Sequence, residues 1–310
     1  MTIWRCDASP FFKGNRVRLK TARHHWWPES LSKFWAAKDG CVTRVSPNGS
    51  LLRNQPHKFG FTKNAHHLQR NEDSPWNASF EGQFGSADSS FPHFARWLLE
   101  LQPERRLKGE LFERLVPLDL SKEHRKRLAE CCASLIVRSP RSKNKIKITI
   151  ESIYAVDSIH LPIDKTLIAA NMANSLPVFT RAIDQGGKFI LLTSDGPEFI
   201  WGDGFLHNFP IGTDQPLRPF FVTPILPDIS LVFVRPAAYR TKPEFMSLHL
   251  RENEAEFFNR TIQVYSCNEI YYRNDAPKLT EEFRKGQFLE YEYDQHPWLE
   301  SLVSASLQVS

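Results

Sequence analysis

The segment Lys188–Thr193 constrains the fold most, because Phe189-Ile190-Leu191-Leu192 offers no polar face to water and suits a short buried strand. It runs directly into Ser194-Asp195-Gly196-Pro197, a set of turn-forming residues. Two further apolar runs, Phe220–Thr223 and Ile229–Val234, read as companion strands among the prolines Pro210, Pro216, Pro219, Pro224 and Pro227. A closing helix is expected over 251–265, with Phe258, Ile262 and Tyr265 inward and Asn259 beside them. The tail after Thr280 is expected to form a short helix and a strand.

The N-terminal region has a different pattern. Residues 1–22 are basic and irregular, including Arg18 and Lys20, and read as a lead-in arm or strand. Pro28 suits the first position of a helix that carries Leu31, Phe34 and Trp35 and stops at Asp39-Gly40. A hairpin is expected from Cys41 to Arg53, turning at Ser46-Pro47-Asn48-Gly49, and a third strand from Lys58 to Lys63. From Phe91 the spacing becomes helical, and Ser121 is placed to cap a second helix whose stripe is Leu128, Cys131, Cys132, Leu135 and Ile136. Its other face (Lys122, Arg125, Lys126, Arg127) continues into Arg138, Arg141, Lys143 and Lys145, either as solvated surface or as a phosphate contact. Ile146, Ile148 and Ile150 alternate with polar residues and predict a half-buried strand; a helix is expected over 164–175.

Together these readings predict an α+β protein folded as one unit over 1–310. Its expected parts are a His-rich β-hairpin region at 1–70, a helical middle at 71–145, and a β-rich half at 146–310. The chain has 41% hydrophobic residues, 23 Phe and 8 Trp, enough for a substantial core. The net charge of +5 permits an anionic partner without requiring one. Five scattered cysteines, no apolar leader and no long apolar run lead us to expect a cytoplasmic protein with free thiols and no membrane span.

The densest group of chemically capable side chains is Arg23-His24-His25-Trp26-Trp27-Pro28. A second histidine pair, His66-His67, lies beyond the expected hairpin, which could bring the two pairs together. Joined by Glu81, Asp88 or Asp195, such imidazoles suit a divalent metal (Zn, Mn or Mg) that activates water, one such set being His25, His66 and Asp195. A metal-free alternative uses His25 as general acid or base with Asp195 orienting it, and would cleave RNA through its own 2′-OH. Neighbouring histidines on a strand point opposite ways, so at most one of each pair can serve a site. Asp195 has an alternative role, capping its own turn, with Ser194 beside it. Asn259 is expected to bridge that turn to the closing helix rather than to do chemistry. Trp26 could stack a base next to a phosphate contact from Arg23, or simply anchor the core. The sequence has neither a phosphate-binding glycine loop nor a Gly-x-Ser-x-Gly elbow.

His24-His25-Trp26-Trp27-Pro28, followed by Leu31 and Phe34, resembles the start of a large bacterial family of unknown function whose hallmark there is His-His-Tyr-Val-Pro-Gln-Phe-Tyr-Leu. Thr193-Ser194-Asp195-Gly196-Pro197 is similar to that family's Thr-Ser-Asp-Asn-Pro strand end, and Asn259 with Val264-Tyr265 to its helical third motif. Glu81 and Asp88 stand where that family has an acidic helix start. The chain departs from the pattern at Trp26, Trp27, Glu29 and Gly196, as a divergent member would. The resemblance implies an accessory protein of the mobile or defence-associated kind. The expected function is therefore a defence- or toxin-associated effector, a nuclease in which His24 or His25 acts with Asp195. The alternative is a non-catalytic module that recognises a partner protein or nucleic acid.

Overall fold

The computed structural model describes residues 22–68, 78–156, 165–209, 219–235, 242–289 and 296–309. The expected basic arm with Arg18 and Lys20, the helix start at Asp164, and Pro210 and Pro216 lie outside them. In chain order the N-terminal region holds β1 (Arg23–His25), α1 (Glu29–Ser32), β2 (Val42–Val45), β3 (Leu51–Asn54), β4 (Phe61–Lys63), β5 (His67–Leu68) and β6 (Ala78–Ser79). The middle holds α2 (Gly85–Glu100), α3 (Leu111–Arg114), β7 (Val116–Leu118), α4 (Lys122–Arg138), α5 (Pro140–Val156) and α6 (Lys165–Asp184). Strands β8 (Lys188–Ser194), β9 (Trp201–Gly202), β10 (Leu206–His207), β11 (Phe220–Leu226), β12 (Ile229–Val234) and β13 (Phe245–Leu250) follow. The chain closes with α7 (Glu252–Val264), β14 (Ile270–Tyr272), α8 (Glu281–Arg284) and α9 (Pro297–Ser306).

The apolar run at Phe189–Leu192 is fully buried because β8 is an inner strand of a six-stranded sheet ordered β10-β11-β12-β8-β13-β7. It pairs antiparallel with β12 and parallel with β13, whose crossover places His249 opposite Thr193 and Leu250 opposite Ser194. Pro224 sits inside β11 rather than in a connection, next to a register irregularity against β12, where a missing N–H costs least. A second sheet, β3-β2-β14-β9, carries the expected hairpin as its outer pair. Strands β13 and β14 were not expected, although Met246, Leu248 and Leu250 alternate with Ser247 and His249 as a strand would.

The α+β class holds, with the N-terminal strands, the helical middle and the strand-rich C-terminal half in one compact unit. Two expectations are corrected. Ile146, Ile148 and Ile150 lie on α5, not on a strand: Ile146 and Ile150, four residues apart, are buried, while Ile148 between them is 49% exposed. Alternation over five residues fits one helical face as well as a strand, and packing of α5 against α4 and α6 decides for the helix. The helical middle therefore runs on to Asp184. The second correction concerns the basic stretch, which is not one solvated face, because Arg125, Arg138 and Arg141 turn inward. Arg125, for example, donates to the carbonyls of Ile183 and Asp184 and caps the end of α6.

The N-terminal strands are fastened to the larger fold by tryptophan. Trp27 is fully buried, stacked on Trp201 at 5.2 Å and packed on Tyr271 at 4.6 Å. Trp35 meets Trp27 edge-on and donates its indole N–H to Ile225 O at 3.0 Å. The chain can pass this close because Gly60 O accepts from both Trp26 N and Trp27 N. Gly60 has φ +65°, and a Cβ there would lie 2.5 Å from Trp27 Cβ. Gly60→Ala is therefore expected to cost at least about 2 kcal/mol, from left-handed backbone strain and the clash together. The readout is a lower urea midpoint at unchanged slope; an unchanged midpoint would contradict this packing.

Candidate functional site

The antiparallel pairing of β1 with β4 puts His24 opposite Thr62 and His25 opposite Phe61. Alternation then divides the histidine pair: His24 is 4% exposed and turned inward, whereas His25 lies against the Phe61 ring on the other face. After β4 the chain reverses through Asn64, a left-handed residue (φ 56°) whose Oδ1 accepts from Ala22 N. This reversal returns His66 and His67 to His24. The His24 and His66 rings lie parallel with centroids 4.8 Å apart, and His67 meets His24 edge-on at 4.6 Å.

Polar contacts fix the tautomers. His66 N donates to His24 Nδ1 at 2.8 Å, so the neutral His24 ring carries its proton on Nε2. His66 Nδ1 touches the Glu81 carboxylate directly, which places a proton on that nitrogen and leaves the Nε2 lone pair for chemistry. Burial, reinforced by the neighbouring imidazoles and only partly opposed by Glu81, lowers the His24 pKa to about 4. Burial would raise Glu81, but the His66 contact and the nearby charges of His66, His24 and Arg138 outweigh it and hold the carboxyl below its usual range. The result is a carboxylate–imidazole pair beside a neutral imidazole that can only donate from Nε2.

Behind this cluster lies Arg138, whose buried guanidinium donates to Asp88 Oδ1 at 2.7 Å and to His25 O at 3.2 Å. In front is a cleft of about 320 Å³, with His24, Trp26, His66 and Arg138 in its lining. One wall is a single face of α5: Pro140, Lys143, Asn144 and Lys147 follow the i, i+3, i+4, i+7 rule. That spacing was present in the sequence, but it goes unseen when the neighbouring isoleucines are taken for a strand. Ile168 and Met172, from the helix expected over 164–175, and Asn268, from a part of the chain with no local signal, complete the cleft.

The remaining expected site residues have other surroundings. The partners of Asp195 are Arg105, which grips both carboxylate oxygens at 2.7 and 2.8 Å, and His249 Nε2 at 3.3 Å. The expected His25–Asp195 pairing, and with it the His25, His66 and Asp195 metal set, is replaced: the carboxylate beside the histidines is Glu81. The parallel β8–β13 pairing is what gives Asp195 a different imidazole. The turn is capped by Ser194, whose Oγ accepts from Gly196 N, and not by Asp195. Asn259 bridges as expected, accepting from Ile200 N and donating to Glu198 O. Asp88 supports Arg138. Trp26 is 7% exposed and packs against Tyr271, so it is a cleft wall and not an open stacking platform. Arg23 is exposed, with its guanidinium over the Phe61 ring.

Donor atoms of His24, His66 and Glu81 lie within 4.8 Å of one another, a ligand set right in kind for zinc or manganese. Its orientation fits less well. The His24 Nδ1 lone pair is occupied by a backbone N–H, and an ion cannot lie in the planes of two stacked rings at once. Metal binding would require His24 to rotate away from His66 N or to change tautomer.

The lowered His24 pKa makes stability depend on pH. Its contribution is complete above the ordinary value of 6.5 and is lost as pH falls toward about 4. His25 and His67, also lowered chiefly by burial, act with the same sign. The urea midpoint is expected to hold steady above neutrality and to fall below it. In His24→Asn, whose Oδ1 can still accept from His66 N, that fall should be shallower; an equally steep fall would contradict the assignment. No protein-family model, curated protein or solved structure matches this chain.

Proposed function

We propose that this chain is a ribonuclease that acts without a metal at the His24–His66–Glu81 site. The observation that supports this most is the His66–Glu81 contact beside a neutral His24, opening on a cleft with a basic helical wall. His66 Nε2 takes the proton of an RNA 2′-OH, and Glu81 stabilises the imidazolium that forms. The freed 2′-oxygen bonds to phosphorus and the P–O5′ bond breaks, giving a 2′,3′-cyclic phosphate. The departing 5′-oxygen takes a proton from solvent. His24 donates its Nε2–H to the phosphate oxygen on which charge builds, the role open to an imidazole that stays neutral. Arg138 is a positioning residue: its hydrogen bonds are spent on Asp88, Ser134 and the His25 carbonyl. A defence- or toxin-associated setting in bacteria is part of the proposal and is supported by the two motif resemblances at His24–Pro28 and Thr193–Pro197.

The test is cleavage of end-labelled single-stranded RNA by the full chain in EDTA, followed by the same assay with added Mn²⁺ or Zn²⁺. The expected result is a cyclic-phosphate product in EDTA, no cleavage of the all-deoxy strand, and a loss of about 10²- to 10⁴-fold in His66→Ala. Glu81→Gln should lose activity while its circular dichroism is unchanged. Cleavage that appears only with added metal would replace the acid–base mechanism with a metal one. RNA binding without turnover in any condition would make the chain a binding module.

A further inference from the structure

Building on that proposed reaction, we infer that the cleft admits one unstacked nucleotide of a single strand and excludes duplex RNA. Its volume of about 320 Å³ is at the lower end for small-ligand pockets, the scale of a single nucleotide and far below that of a paired helix. Its walls differ in the way a nucleotide differs. Ile168, Met172 and Phe288 offer an apolar surface to a base, whereas Lys143 and Lys147 stand on the α5 wall where a phosphate would lie. The Lys147 ammonium is 3.7 Å from Glu151, but both side chains are about half exposed, so the pair is weak and yields readily to a phosphate. Asn268 is rigid: its side-chain nitrogen and backbone N–H both bind the buried Asp203 carboxylate at 3.0 Å, which leaves its carbonyl oxygen a fixed acceptor. The reactive imidazoles are nearly enclosed, His24 and His66 being 4% and 2% exposed. A stacked, paired nucleotide cannot reach groups so placed, so the substrate must arrive single-stranded or be extruded from its stack.

The experiment pairs cleavage with binding. Wild-type protein is given an unstructured RNA and the same RNA annealed to its complement. The folded His66→Ala variant is titrated with both by fluorescence anisotropy, using a nucleoside 3′-monophosphate as competitor. We expect the single strand to be bound and cleaved at least ~10-fold better than the duplex, and the mononucleotide to compete. Lys147→Glu should weaken single-strand binding severalfold with secondary structure intact. Equal binding and cleavage of the duplex would overturn the inference and leave the proposed reaction standing. Absence of cleavage with selective single-strand binding would overturn the reaction and leave the inference standing. A mononucleotide that does not compete would overturn the inference in either case.

Discussion

The Arg138 guanidinium is the contact on which the site depends. It is buried at the last residue of α4, where a cation also complements the helix C-terminus. A buried cation left without a counter-charge would be strongly destabilising, so Arg138 requires Asp88 from the first turn of α2. Its remaining donors take the His25 carbonyl and the Ser134 side chain, and its plane lies over the Phe84 ring at 4.5 Å. One side chain thus joins α4, α2 and β1. By holding the His25 carbonyl it anchors β1, whose pairing with β4 turns His24 inward. Because α5 begins two residues later, at Pro140, the same junction aims the Lys143–Lys147 face at the cleft.

Division of labour among the titratable groups follows from position. His24 and His67 are in contact, and burial together with the neighbouring imidazoles opposes protonation of either. Glu81 is held as an anion against the effect of its own burial, by the His66 hydrogen bond and the nearby positive charges. Around Asp195 the arrangement is more exposed, and Arg105 and His249 share a carboxylate that is 63% accessible. That second group ties the end of β8 to the end of β13 and to the loop that carries Arg105. It explains why a Thr-Ser-Asp turn is found here without requiring it to take part in the chemistry.

Local chemistry made much of this fold legible in the sequence. Four apolar residues in a row at Phe189–Leu192, running into a turn, suited a buried strand, Ser121 announced the start of α4, and Ser46–Gly49 announced a hairpin. The meeting of the two histidine pairs was expected from the hairpin between them, but the β1–β4 pairing and the reversal at Asn64 are what bring it about. Long-range pairing was hidden. Nothing in Phe245–Leu250 says that it runs parallel to β8, yet that crossover gives His249 to Asp195. Glu81 was one of three acidic candidates, and only the turn that follows β6 selects it. The face of α5 was hidden for another reason: isoleucines at alternate positions satisfy a strand locally, and only packing against α4 and α6 shows the helix.

His24 and His66 hold opposite tautomers, and His24 stays neutral. Histidine ring-nitrogen NMR over a pH titration reads both properties. At pH 6 His24 is expected to be neutral with its proton on Nε2, titrating only near about 4, while His66 carries its proton on Nδ1 toward Glu81. A His24 that is already charged at pH 6, or that carries its proton on Nδ1, would rule this arrangement out.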